Sequence, residues 1–162
     1  MSILRSIVGF ARGEQRAAPS PSQPATPALD GGDVPPGGRF RVEIVGEAHY
    51  QDVLARLAGP KTSHGVSIYK AAMLAPEPDN PHDAKAVAVR IDGLTVGYLS
   101  REQAATFHSV MAGEKWAAQP FGPVRGWIHG GWKRPGDEGH YGVTLFLSDR
   151  SLGEALGSDD RA

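Results

Sequence analysis

The sequence has no cysteine among its 162 residues. Disulfide bonds, thiolate metal sites and a cysteine nucleophile are therefore excluded. It also has no apolar run near the roughly 20 residues that a membrane helix requires. Its start, Met1 to Phe10, is interrupted by Arg5 and lacks the apolar run of a secretory signal. We therefore expect a cytoplasmic protein without a membrane partner.

An excess of positive charge is also missing, because 17 lysines and arginines face 18 aspartates and glutamates. Proteins that bind duplexes nonspecifically usually neutralise many phosphates with a basic excess. A broad electrostatic stripe is therefore excluded, and any nucleic-acid site in this chain must be small and local.

Composition divides the chain into three parts. Residues 1–38 are predicted to be a disordered arm, since Ala, Pro, Ser and Gly dominate it after a short apolar stub. The stub places Leu4, Ile7 and Val8 on one face, which is typical of either a frayed end or a docking peptide or weak membrane contact. Residues 39–147 form the predicted domain, and residues 148–162 a flexible acidic tail.

Apolar periodicity predicts the elements of that domain. Alternation indicates strands, and an i, i+3, i+4, i+7 pattern indicates helices. Asp92-Gly93 predicts a two-residue hairpin turn, and Ser100 with Gln103 predicts a capping box. Predicted strands cover 40–44, 66–74, 87–91, 94–98, 124–129 and 140–147, and predicted helices cover 50–57 and 100–113. The order β-α-β-β-β-α-β-β predicts a mainly β protein, a small and partly closed barrel carrying two helices.

Four short blocks carry a family resemblance. They are Val45-Gly-Glu-Ala-His-Tyr50, Glu77-Pro-Asp-Asn-Pro-His-Asp83, Ala86-Val-Ala-Val89 and Val96-Gly-Tyr-Leu99. Together they resemble the HIRAN domain. This resemblance implies an OB-like barrel that binds the free 3′ end of single-stranded DNA in DNA repair or replication. The family often accompanies helicases and nucleases, but this sequence has no catalytic constellation, so we expect that the chain is not an enzyme and needs no cofactor.

The resemblance also implies a set of site residues. Tyr50 would be the main ring on which a terminal base stacks, and His49 a weaker one. Asp83 would accept a hydrogen bond from the 3′-hydroxyl and repel a phosphate, while Arg101 would contact a phosphate. The full set of matching positions is His49, Tyr50, Asn80, His82, Asp83, Tyr98 and Arg101.

Two departures and three structural alternatives accompany this set. The family often has arginine where this chain has Ala48 and Pro76, so two basic contacts are missing and a shallow salt dependence is expected. Tyr50 lies on the apolar helical face and is also compatible with a core position. Asp83 is also compatible with bracing its own loop, and Asn80 with a turn before proline.

A second contact is predicted outside the blocks. Trp132, Lys133 and Arg134 combine an aromatic ring with two positive charges in a polar, Gly-rich loop, which indicates either a nucleic-acid contact or a protein-binding knob. Trp127 is expected on the strand face opposite Val124, Gly126 and Ile128.

Two other functions are consistent with the sequence. The balanced charge and the missing arginines allow a protein-interaction module that recruits a separate helicase or nuclease. Asp79, Asp83 and Lys85 resemble the core of a metal-dependent nuclease, but the two aspartates lie in one Pro-rich loop rather than on adjoining strands. The six histidines are scattered without a metal-ligand spacing, so no metal site is predicted.

Overall fold

The computed structural model describes residues 34–112 and 119–159. The predictions for residues 1–33, for Gly113 as the end of the second helix and for the last three residues lie outside these ranges. Within them, the strands are β1 (Phe40–Glu43), β2 (Val66–Pro76), β3 (Val87–Ile91), β4 (Leu94–Tyr98), β5 (Phe121–Gly130), β6 (Lys133–Arg134), β7 (Asp137–Glu138), β8 (Tyr141–Leu147) and β9 (Ser158–Asp159). The helices are α1 (Gln51–Ala58), α2 (Arg101–Met111) and α3 (Arg150–Leu156), with a 3-10 turn at Glu47–His49.

Antiparallel pairing joins seven of these strands into one sheet in the order β4-β3-β2-β5-β8-β1-β9, while β6 and β7 form a separate hairpin. The core lies on one side of this sheet, where alternate residues of the strands are fully buried beside α1 and α2. Its largest members include Leu54 of α1 and Phe107 of α2, both with no exposed surface. The prediction of a mainly β protein is therefore confirmed.

Two local predictions are confirmed by backbone geometry. Asp92 and Gly93 have φ values of 51° and 75°, the pair of positive angles that a type I′ hairpin turn requires. The Ser100 side chain accepts from the Gln103 amide, and the Gln103 side chain accepts from the Ser100 amide. This reciprocal capping box fixes the residue at which α2 begins.

The described strands do not form a closed barrel. β9 pairs with Phe40 and Arg41 on the outer edge of β1, so that edge is not available to β4. A bridge after the end of β1 brings the two sides together, where Val45 and Tyr98 exchange backbone hydrogen bonds of 2.8 and 2.9 Å. Gly97 permits this approach, since a Cβ there would lie 2.8 Å from the Val45 carbonyl oxygen. The two sides of the sheet thus meet at one bridging contact, and no fully closed barrel is found among the described strands.

The prediction of a flexible tail from residue 148 is corrected, because residues Arg150–Leu156 form α3. Asp149 caps this helix by accepting from the Leu152 amide at 2.8 Å. Leu152 and Leu156, one helical turn apart, are buried. The acidic composition of this segment concealed an apolar i, i+4 pair that packs on the domain. Likewise, the loop predicted from Gly130 to Gly139 contains the β6–β7 hairpin.

Candidate nucleic-acid interface

A cavity of about 320 Å³ lies between the Pro-rich loop after β2, the end of β4 and the start of α2. Polar and aromatic side chains from four separate segments meet there. Its lining residues are Val45, Tyr50, Asn80, His82, Asp83, Ala86, Tyr98, Leu99, Arg101 and Ala104.

Six of the seven residues predicted from the family resemblance line this cavity. The seventh, His49, is exposed in the 3-10 turn directly before Tyr50 and is not among the lining residues. Of the two positions where the family often has arginine, Ala48 is exposed in the same turn, and Pro76 ends β2. The sequence blocks therefore converge in space although up to 56 positions separate Val45 from Arg101.

A largely buried ion pair holds the Pro-rich loop in place. Glu77 Oε1 accepts from Arg90 Nη2 at 2.9 Å, with side-chain exposures of 13% and 10%. Glu77 Oε2 accepts from the Asn80 amide nitrogen Nδ2 and from the Tyr98 hydroxyl. Glu77 thus connects β3, the loop and β4. Sequence reasoning missed this role, although an arginine inside the buried strand Val87–Ile91 was a signal that a buried acid must face it.

Asn80 is committed to building the loop. Its Oδ1 accepts from the backbone amides of His82 and Asp83 at 2.9 and 3.2 Å, and its Nδ2 donates to Glu77. This arrangement is an Asx turn that closes the loop before Pro81. Asn80 therefore shapes the cavity wall, as the structural alternative for this residue proposed.

Asp83 both braces the loop and faces the cavity. Its Oδ1 accepts from the Lys85 amide at 2.9 Å, and its carbonyl accepts from the Ala86 amide. Among the described residues, no hydrogen bond engages its second carboxylate oxygen, Oδ2. The bracing role and a ligand-binding role are thus compatible, because they use different oxygens.

Two tyrosine rings form the aromatic part of the cavity. The ring centroids of Tyr50 and Tyr98 lie 6.2 Å apart with their planes tilted by 47°. Tyr50 is half-buried at the beginning of α1, where its carbonyl accepts from the buried Leu54. Burial raises the pKa of Tyr98 strongly, and the neighbouring Tyr50 and Glu77 raise it further. Tyr98 therefore stays neutral at ordinary pH, and both rings present apolar faces with hydroxyl groups attached.

Arg101 of α2 supplies a positive charge at the cavity. Arg101 is the first residue of this helix and is exposed, and backbone amides of the first helical turn favour anions nearby. The arrangement combines aromatic faces, one carboxylate and one guanidinium in a small space.

The Trp132 segment lies apart from this cavity. The Trp132 indole nitrogen donates to Asp137 Oδ2 at 3.0 Å, and Arg134 Nε donates to the Ser63 carbonyl oxygen at 2.8 Å. Exposed Lys133 pairs across the hairpin with Glu138. Lys133 and Arg134 form β6, Trp132 directly precedes it, and none of the three lines the cavity.

The residues of the nuclease-like pattern are not gathered around a common point. Asp79 and Lys85 are exposed, whereas Asp83 is half-buried. In residues 34–112 and 119–159, no three acidic or histidine side chains are close enough to hold a metal ion. The helices in these ranges include none that is long and apolar enough to span a membrane.

Comparison with known proteins identifies the family. The HIRAN domain model matches residues 37–121, which is more than half of the chain. The chain therefore belongs to the HIRAN family, and this membership makes it a nucleic-acid-binding domain. The crystal structure of the HIRAN domain of human HLTF is similar at 17% identity, with 74% of this chain and 83% of that chain covered and a TM-score of 0.32. Comparison with curated proteins found no match.

Proposed function

We propose that this protein binds single-stranded DNA at a free 3′ end, in the cavity beside the Pro-rich loop. The observation that carries the proposal is the convergence of Tyr50, Tyr98, Asp83 and Arg101 on one cavity. Each supplies an interaction that a terminal nucleotide requires. Free 3′ ends of single strands arise in DNA repair and replication, which is where we place the function.

The size and shape of the cavity support a terminal nucleotide as its occupant. A volume of about 320 Å³ is near the lower end of the range for small-molecule sites, so a duplex does not fit. The terminal base stacks on Tyr50 and Tyr98, a contribution of about 1–3 kcal/mol per stacked base. His82, exposed at the rim, offers a further ring for the neighbouring base.

Asp83 gives the site its preference for an end. Its Oδ2 accepts a hydrogen bond from the 3′-hydroxyl, while its negative charge repels a 3′-phosphate or a continuing strand. Arg101 contacts the phosphate on the 5′ side of the terminal nucleotide. Because only one arginine lines the cavity, the salt dependence is shallow, with a slope of about −0.7 per neutralised phosphate.

The experiment measures fluorescence anisotropy with three labelled strands that carry a 3′-hydroxyl, carry a 3′-phosphate or are circular. We expect the 3′-hydroxyl strand to bind most tightly. Asp83→Asn keeps the oxygen that braces Lys85 but loses the charge. We expect this variant to lose about tenfold in affinity for the 3′-hydroxyl strand, as for hydrogen bonds to charged groups, and to lose its preference for it.

Asp79→Asn is the matched control, because Asp79 is an exposed carboxylate of the same loop that does not line the cavity. It should bind all three strands like the unmodified protein. Equal affinity of the unmodified protein for the 3′-hydroxyl and 3′-phosphate strands would overturn the assignment of the end-binding site.

A further inference from the structure

A second aromatic surface lies on the outer face of the sheet, opposite the core. Backbone register places Tyr69 of β2 directly across from Trp127 of β5, and Trp127 across from Thr144 of β8. Two residues away from that pair, Arg125 of β5 lies across from Phe146 of β8. We call Tyr69, Trp127, His129 and Phe146 the aromatic platform. The neighbours of Trp127 along β5, Gly126 and Ile128, are buried on the other face.

The rings of the platform contact one another. Tyr69 and Trp127 are stacked, with centroids 6.3 Å apart and an interplanar angle of 23°. His129 lies 4.4 Å from the Trp127 ring, and Phe146 lies 6.4 Å from it. Tyr69 is 47% exposed, which makes it one of two large apolar side chains exposed in the described part of the chain. The platform therefore extends over three strands, with Tyr69 exposed and Trp127, His129 and Phe146 half-buried.

A row of positive charge runs beside the rings. Arg125 and Arg41 flank Phe146 on a line across β5, β8 and β1. This line is two residues, or about 7 Å, from the line of Tyr69 and Trp127. The guanidinium of Arg125 lies over the Tyr69 ring at 5.0 Å, and its Nε donates to the Pro35 carbonyl oxygen at 2.9 Å. The Arg125 guanidinium is therefore held in place beside the Tyr69 ring.

The acid on this face is already compensated. Glu43 lies across from Thr144. Its Oε1 accepts from Arg41 Nε at 2.7 Å, and its Oε2 accepts from the Thr144 hydroxyl at 3.0 Å. Because the hydroxyl proton of Thr144 goes to Glu43, His129 Nε2 is the donor in its 3.1 Å bond to Thr144. Arg41 and Glu43 therefore neutralise each other, and Arg125 supplies the net positive charge of this face.

We propose that the aromatic platform is a second nucleic-acid surface, which binds an internal segment of a single strand. Its bases stack on Tyr69 and Trp127, and its phosphates follow Arg125 and Arg41. This inference goes beyond the 3′-end pocket, because it needs no strand end and uses none of the residues that line the pocket.

The arrangement of the face favours a single strand over an apolar peptide. An apolar peptide would contact the rings but would make no charge-assisted contact with the neighbouring guanidinium groups. A single strand carries planar bases and phosphates along two parallel lines, and aromatic side chains beside basic ones are the usual means of holding it. The strands of the sheet keep the two rows in fixed register.

Circular single-stranded oligodeoxythymidylate is the probe, because it has no end for the pocket. Its affinity for the full chain is measured by anisotropy. Tyr69→Ala should lower that affinity about tenfold, in line with the loss of one stacked base, while Tyr69→Phe, which keeps the ring, should bind normally. Arg125→Ala should also weaken binding, whereas Arg56→Ala, which removes an exposed charge from α1, should not.

Circular dichroism confirms that each variant is folded. Unchanged affinity of Tyr69→Ala for the circular strand would overturn the proposal. It would also be overturned if the unmodified chain self-associates in sedimentation and Tyr69→Ala abolishes that association without changing DNA affinity, since the face would then bind a second copy. Asp83→Asn, by contrast, should bind the circular strand normally. Failure of the platform and failure of the 3′-end pocket are therefore distinguishable.

Discussion

The pocket and the aromatic platform use similar side chains in different settings. The pocket is formed mainly by loops and element ends, and the largely buried pair of Glu77 and Arg90 fixes its shape. The platform stands on three paired strands, and the backbone ladder fixes its shape. The comparison teaches that aromatic and basic groups acquire a defined geometry either from a side-chain network or from strand register.

This difference leads to different vulnerabilities. One substitution in the network beneath the pocket removes several contacts at once, because Glu77 serves Arg90, Asn80 and Tyr98. A single substitution on the platform removes one ring and leaves the ladder unchanged. The pocket should therefore be sensitive in both stability and binding, and the platform mainly in binding.

The largest expected effect is on the pocket side. Glu77→Ala leaves Arg90 buried without its partner, so we expect the free energy of unfolding to fall by about 3–5 kcal/mol. Urea denaturation measures this loss. Arg150→Ala, which breaks an exposed pair with Glu154, is the control and should change stability very little, because exposed ion pairs contribute little to stability. A comparably small loss in Glu77→Ala would show that the pocket is not held by this network.

A smaller effect is expected at the start of α2. Ser100→Ala removes the side-chain acceptor of the capping box, so we expect a loss of about 1 kcal/mol in the free energy of unfolding. The end of the helix that carries Arg101 should fray, which lowers affinity for linear strands but not for circular ones. Ser109→Ala, an exposed serine of the same helix, should change neither property. Equal losses in the two variants would rule out a specific role for the cap.

The smallest expected effect is the pH dependence of stability that His129 of the platform causes. Burial lowers the pKa of His129 below its ordinary value of 6.5, and Arg41 lowers it further, against opposite effects of Glu43 and Glu47. At a pH below about 6.5, the unfolded chain binds more protons at this histidine than the folded chain does. The free energy of unfolding therefore falls as the pH drops from that value through the lower pKa of the folded state.

Urea denaturation at about pH 7.5 and about pH 5.5 measures this pH dependence. His129→Gln should show a smaller loss of stability between the two conditions than the unmodified protein. His64→Gln, at an exposed histidine, should retain the full loss. An identical pH dependence in His129→Gln and the unmodified protein would contradict the assignment.

Sequence patterns predicted much of this molecule where the determining residues are close in the chain. The Asp92-Gly93 turn, the Ser100 cap and the strands around them depend on local chemistry. Most residues that line the pocket fall in or just after short blocks that resemble a known family, and six of them were named as candidates for that reason. The role of Glu77 was missed, because its partner Arg90 lies 13 positions away in another element.

The platform and the pairing of the strands could not be predicted in this way. Tyr69, Trp127 and Phe146 are far apart in the sequence and become neighbours only through the register of three strands. Alternation correctly placed Trp127 opposite Ile128, but it carries no information on which strands pair. Similarly, nothing local indicated that β9 would pair with the edge of β1.

Position-specific photocrosslinking tests the central claim, which is that the pocket holds the 3′ end. A linear strand with a 3′-hydroxyl carries a photoreactive base either at its terminal position or at an internal one, and mass spectrometry locates the crosslinks on the full chain. We expect the terminal base to crosslink to Tyr50, His82 or Tyr98. Terminal crosslinks that fall on Tyr69 and Trp127, or that are spread equally over both surfaces, would contradict the account.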